Sequence, residues 1–292
     1  DIPEMEVEVL SSLKEPSANR LTTFNSYALH EKEVYSWAST GRQLYEDYDY
    51  AAGNTKNYTL SLPGIVSEDS VWLTTVFAAR SIGASTHYSV AVNGKTRGNA
   101  TLASISSDNQ YYTRATSASI STSWLGTESE NTVVTVTHTR LSGTSGRLDY
   151  IALNYIRSLT LNAPYLTFRS LASINKETTF VLSGATASTV VWDVTDPANI
   201  CRMEGSFTGG TYTFTIPAGK LREFVAITPE ASGFDTVETV GNIANQNLHS
   251  LGATDMIIIS PDRKDLMTQA ERLAQAHRER DGLSVLVLAA PQ

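Results

Sequence analysis

A single cysteine, Cys201, stands in 292 residues. An internal disulfide is therefore excluded, and with it the small stapled scaffolds of many secreted proteins. Charge is scarce as well, at 18% of residues against the ~25% usual for soluble domains. The balance is acidic, a formal −8 at neutral pH. With no basic stripe, the chain lacks the electrostatic footprint of a nucleic-acid binder. No run approaches the ~18 apolar residues of a membrane-spanning helix. His30, His87, His138, His249 and His277 are scattered, without the His-x-x-x-His type of spacing that holds zinc. A Gly-x-Ser-x-Gly elbow and a phosphate-cradling glycine loop are also missing. The first residue is Asp1 rather than methionine, as expected of a processed or excised polypeptide.

Serine, threonine and 13 tyrosines fill the place of the missing charge. That mixture suits strands with one wet face. Alternation of period two runs through residues 57–65, 70–81, 87–95, 131–140 and 146–159. One face carries Tyr58, Leu60 and Leu62, then Val71, Leu73 and Phe77, then Tyr88, Val90 and Val92, then Val134, Val136 and His138. In the last run Leu148, Tyr150, Ala152 and Asn154 alternate with Asp149, Ile151, Leu153 and Tyr155. Turn pairs such as Pro63-Gly64 and Asn93-Gly94 separate the runs, which predicts a mostly β fold, a jelly-roll-like or galactose-binding-like sandwich over residues 1–160. Shorter turn-separated runs at 165–170, 178–184, 188–195, 201–207, 211–219 and 222–229 predict a small Ig-like β domain over 161–231. Residues 232–252 are small and polar, with no sustained period, and read as a linker.

The character changes at 253–292. An apolar run (254–262) ends in Ser260-Pro261-Asp262, a helical stretch (266–282) follows, and a second apolar run occupies 283–290. Leu266, Ala270, Leu273, Ala274 and His277 form one helical stripe, Asp262 or Asp265 can cap it, and Gly282 stops it. Strand, helix and strand in this order make a βαβ unit. Ile257, Ile258 and Ile259, like Val285 through Leu288, are apolar on both faces of their strands. Such strands belong inside a parallel sheet with helices on both sides, yet one helix is present. The expectation is a truncated βαβ unit, the start of an α/β domain whose remaining strands lie beyond Gln292.

Candidate chemistry is thin. Cys201 has no neighbouring histidine to make a thiolate and reads as structural. His277, on the apolar stripe, reads as a partly buried structural residue or one that reaches a helix-end carbonyl. Glu46, Asp47 and Asp49 form an acidic cluster among Tyr45, Tyr48 and Tyr50 that could hold calcium, but without EF-hand spacing. Of four tryptophans, Trp72 and Trp192 fall inside strand patterns and read as core. Trp37 and Trp124 lie near loops and are the candidates for a sugar-stacking surface. No catalytic, metal or cofactor-binding residue is assigned.

The tail resembles the opening of the catalytic domain of the gingipain-like cysteine peptidases. The resemblance rests on Ser260-Pro261 at a strand end, Ala-Glu-Arg-Leu-Ala at 270–274, His277-Arg278 and Asp281-Gly282-Leu283. Upstream, GRLDYIALNYIRSL, VVWDVTDPANI and NLHSLGATDMIII look like stretches of the sortase branch that serves type IX secretion in Bacteroidetes. The resemblance implies a caspase-like α/β domain and a cysteine-type endopeptidase at the outer membrane, facing outward. That enzyme would remove C-terminal signals from secreted cargo. Its partners would be the rest of the peptidase domain, the cargo, and other surface proteins of the secretion system. The family's catalytic His and Cys fall beyond Gln292, so this chain alone is expected to be inactive. The alternative is a cell-surface carbohydrate-binding or adhesin module without peptidase activity. A third reading is an assembly subunit with no ligand chemistry.

Overall fold

The computed structural model describes residues 7–37, 43–108, 114–126, 129–242 and 250–290. Two short strands come first, β1 (Glu8–Leu10) and β2 (Arg20–Leu21). Then follow β3 (Thr23–Glu31), β4 (Thr55–Ser61), β5 (Ser70–Arg80), β6 (Thr86–Val92), β7 (Lys95–Leu102), β8 (Thr116–Leu125), β9 (Asn131–Thr139) and β10 (Ser145–Ser158). These eight form two four-stranded sheets, in the orders β3-β10-β5-β8 and β4-β9-β6-β7. That is jelly-roll topology, with every pairing antiparallel. Its core holds Tyr58, Leu73, Phe77, Tyr88, Val90, Val136, Leu148, Ile151 and Leu153 between the sheets. The alternation read from the sequence supplies that face in β4, β5, β6 and β9.

Two sequence expectations change here. Leu148 was grouped with Tyr150 and Asn154, yet it is buried with Ile151, Leu153 and Tyr155. The cause is a register shift of β10 against β5 between Leu148 and Tyr150. The extra residue of a bulge reverses the parity of the strand. Trp72 is not core: it alternates with Val71 and Leu73, so it faces outward and is 40% exposed.

The second sandwich comprises β11 (Tyr165–Arg169), β12 (Thr178–Ser183), β13 (Val190–Asp193), β14 (Cys201–Met203), β15 (Ser206–Thr208), β16 (Thr211–Ile216) and β17 (Glu223–Ile227). Its sheets run β1-β14-β13-β17-β11 and β15-β16-β12-β2. Residues 8–21 thus lie on the second sandwich, where β1 pairs in parallel with β14 and β2 with β12. The sequence placed them with the first domain because strands this short carry no readable period. Phe168, Phe180, Phe214 and Phe224 pack face and edge in the core. Phe24 of β3 and Leu159 after β10 join that same core, and the Leu171 N–H donates to Asn25 Oδ1 at 2.9 Å. The two sandwiches are therefore stitched by β3 and β10 within one compact unit, residues 1–234.

The second unit, 235–292, contains β18 (Met256–Pro261), α1 (Lys264–Asp281) and β19 (Val285–Ala290). β18 and β19 pair in parallel. Arg263, not Asp262 or Asp265, is the N-cap, and its side chain makes no cap bond. Asp265 sits instead in the first turn, against Arg263. Gly282 closes the helix in the left-handed conformation at φ 66°, its N–H on the His277 carbonyl. Among the described residues no helix is long and apolar enough to cross a membrane.

Candidate functional site

The βαβ unit shows why its strands are apolar on both faces. The helix covers one face with Met267, Ala270, Ala274 and His277, while Leu266 and Leu273 of the expected stripe turn outward. The stripe overestimates burial because a two-stranded sheet is narrower than the helix face above it. On the other face Ile257 pairs with Leu286 and Ile259 with Leu288. Ile257 is 55% and Ile259 70% exposed, and Leu286 and Leu288 are partly exposed. Polar clamps fix the ends of the unit. Asp255 Oδ2 accepts from the Ser284 N–H and Oγ at 2.8 Å each, and those bonds hold its carboxyl below the usual range. Arg278 donates to the Val285 carbonyl at 2.6 Å. His277 Nδ1 lies 2.6 Å from Asp281 Oδ2, one helical turn on, so its role is structural.

A second feature lies between the two sandwiches. On the outer face of the β3-β10-β5-β8 sheet, Tyr27, Asn154 and Trp72 stand side by side in register across β3, β10 and β5. The second sandwich supplies the opposite wall, with Arg169, Leu171 and Leu221, around a cavity of about 460 Å³. Arg169 is held by an ion pair with Glu223. An adjoining cavity of about 370 Å³ shares Asn25, Tyr27 and Arg169 and continues the groove. The sequence reading did not single out Tyr27 and took Trp72 as core; the cavity depends on the second sandwich standing over them.

The acidic cluster disperses. Glu46 is fully buried and accepts from Lys56 Nζ at 2.7 Å and Tyr58 Oη at 2.6 Å, with His30 at 3.3 Å. Burial pushes its carboxyl up, but the bonds from Lys56 and Tyr58 and the charges of Lys56 and His30 together leave it below its ordinary value. Asp49 turns the other way, to Ser145 Oγ, the Ala51 and Gly146 N–H groups and Arg147. Burial again opposes, and those partners again win. Asp47 contributes only its carbonyl, to Arg147 at 2.5 Å. Among the described residues no three His, Cys, Asp or Glu side chains converge as metal ligands would.

Cys201 lies on the half-exposed end of β14, beside Glu8 at 3.8 Å. Partial burial and the Glu8 and Asp193 carboxylates push its thiol up, away from nucleophilic thiolate. Trp37 is half-buried edge-on against Tyr35 and Tyr45. Trp124 lies under the Arg97 guanidinium, 3.9 Å from its centroid. Neither offers the open ring face that Trp72 does. Trp192 is half-buried in β13. His249 lies outside the described residues.

No family model and no curated protein matches the sequence. Among solved structures, the crystal structure of dimeric latent PorU from Porphyromonas gingivalis superimposes with a TM-score of 0.74 at 23% identity. The match covers 97% of this chain and 27% of that one, so this chain spans about a quarter of that protein's length. The tandem CBM22-1-CBM22-2 domain of Paenibacillus barcinonensis Xyn10C aligns over 75% of this chain and 88% of its own at 11% identity, with a TM-score of 0.26, too low to bear on the fold. The PorU superposition shows that this chain, mostly β and ending in a βαβ unit, has a PorU-like fold.

Proposed function

We propose that this chain is the non-catalytic N-terminal region of a PorU-type, gingipain-like cysteine endopeptidase that processes C-terminal signals of type IX secretion cargo. The carrying observation is the PorU-like fold over 97% of the chain, matched to 27% of the longer protein. Two features support it. The βαβ unit leaves Ile257, Ile259, Leu286 and Leu288 on a face that its own helix does not cover, as the first strands of a larger α/β domain would. The only thiol, Cys201, is paired with carboxylates rather than a histidine and has a raised pKa.

In this reading the two sandwiches brace the catalytic domain and present cargo or secretion partners to it at the outer face of the outer membrane. The peptide bond is cut by a Cys–His pair in the remainder of the enzyme. The deciding test is the coding sequence after codon 292. Continuation into an α/β domain with a histidine and a cysteine at neighbouring strand ends is expected; a stop codon overturns the proposal. A second test is direct: this chain alone should not turn over fluorogenic peptides, and turnover abolished by Cys201→Ala refutes the assignment.

A further inference from the structure

We infer that the groove between the two sandwiches is a glycan-binding site, with Trp72 and Tyr27 stacking on sugar rings and Asn154 hydrogen-bonding between them. This stands on the groove alone and does not rest on the peptidase reading.

Stacking on the apolar face of a pyranose needs an aromatic face open to solvent. Tyr27 is 62% and Trp72 40% exposed, although both sit within strands paired to β10. Large aromatic side chains are expensive to leave in water when the fold could bury them. The two rings flank Asn154 across one intervening strand, a separation of two strand spacings, about 10 Å. That distance is longer than one sugar ring and suits a chain of sugars, with the two aromatic faces meeting rings that are not adjacent. The cavity is in the usual size range of small-ligand sites, ~300–1,000 Å³, at about 460 Å³. It also runs on into a neighbouring space of about 370 Å³, as a chain rather than a single sugar requires.

Polar chemistry separates a glycan from a proline-rich peptide, the other ligand that aromatic grooves take. Among the described residues the Tyr27 hydroxyl, the Trp72 indole N–H and the Asn154 amide have no hydrogen-bond partner. Together they offer donors and acceptors at one place. A sugar hydroxyl both donates and accepts, so it satisfies the whole set. A polyproline helix presents carbonyl acceptors only and would leave the Asn154 carbonyl unmatched. β10 lies between β3 and β5, so the backbone at Asn154 is already paired, and β3 and β11 bring their sheet edges only to the rim of the groove. At its floor the side chains do the recognising. On the far wall, Arg169 supplies further N–H donors beside its Glu223 partner.

The test is isothermal titration of the 292-residue chain with soluble hexasaccharides of glucose, N-acetylglucosamine and mannose, alongside a decaproline peptide. At least one hexasaccharide is expected to bind, and Trp72→Ala and Tyr27→Ala are each expected to weaken it by roughly tenfold or more. Tyr165→Ala, which removes an exposed aromatic outside the groove, is the control and should leave affinity unchanged. Asn154→Ala tests the polar part without touching a ring and should weaken binding severalfold. The thermal midpoint of each variant guards against misfolding. Failure of all three hexasaccharides to bind overturns the inference. So does sugar binding that survives Trp72→Ala, or binding of decaproline alone.

Discussion

His138 lies at full burial in the jelly-roll core, stacked on Tyr88 at 4.2 Å between ring centroids. Neither ring nitrogen has a partner among the described residues. Burial first, and the Arg140 charge second, push its pKa from 6.5 down to about 4, against a smaller opposite pull from Asp49. The folded state therefore holds the ring neutral where the unfolded chain takes up a proton. Its influence on stability is nil above about pH 6.5 and grows unfavourable as the pH falls, levelling off below about 4. By pH 5 the loss from this ring is about 2 kcal/mol. His138→Phe keeps the stack and removes the proton site. Urea unfolding of that variant should show a much flatter pH dependence between 7 and 5 than the parent; equal slopes would refute the assignment. The buried Glu46 makes the opposite kind of residue-scale prediction. It contributes where it is ionised, so Glu46→Gln should cost about 2 kcal/mol at pH 7 by stranding the Lys56 charge beside an amide. The deficit should shrink as the pH drops through the carboxylate range. The alternation of β9 fixed which way His138 faces, but no local pattern showed that its nitrogens go unpaired.

Elements differ in how openly the sequence announces them, and the difference follows how much apolar surface each must bury. β5, β6 and β9 are interior strands whose buried faces carry Val, Leu, Phe and Tyr in alternation. β3, β7 and β8 escaped the sequence reading and are sheet edges, whereas the edge strand β4 was legible because it buries Tyr58 and Leu60. β8 reads Thr-Ser-Ala-Ser-Ile-Ser-Thr-Ser-Trp-Leu and buries only Ile120 fully. An edge strand needs less apolar surface, so its period-two signal fades into a polar background. The groove was illegible for a related reason. Alternation alone puts Trp72 opposite Leu73, but nothing short of the tertiary fold sets Arg169 and Leu171 across from it. The connection between the sandwiches offers an element-scale test. Gly184 ends β12 at φ +71°, and an added Cβ would lie 2.6 Å from the Leu161 carbonyl oxygen. Leu161 belongs to the crossing segment after β10, where its N–H bonds the Ser183 carbonyl at 2.9 Å. Gly184→Ala meets both a disfavoured backbone and a backbone atom that cannot yield. A loss of about 2 kcal/mol or more is expected in urea unfolding, and a neutral result would mean that this crossing is free to shift.

At the scale of the whole molecule, the two compact units solve the burial problem differently. The first encloses two aromatic-rich cores of its own. The second leaves an isoleucine and leucine row in water. A sheet that is apolar on both faces gains its full stabilisation only when the uncovered face is occupied, since each large apolar side chain removed from water contributes ~1.5–3 kcal/mol. Ile257→Thr with Ile259→Thr separates the possible outcomes. The substitution keeps the β-branched shape that suits a strand, and both positions are more than half exposed, so the chain's own unfolding should shift by only about 0.5 kcal/mol. Association with the separately produced remainder of the peptidase should weaken strongly, because that partner would supply the cover for this row. Calorimetric titration of one piece into the other reads the effect. If the variant destabilises this chain by itself, the row is already part of its interior. If it changes neither stability nor association, the face is solvent-exposed in the full protein and the truncated-sheet argument fails.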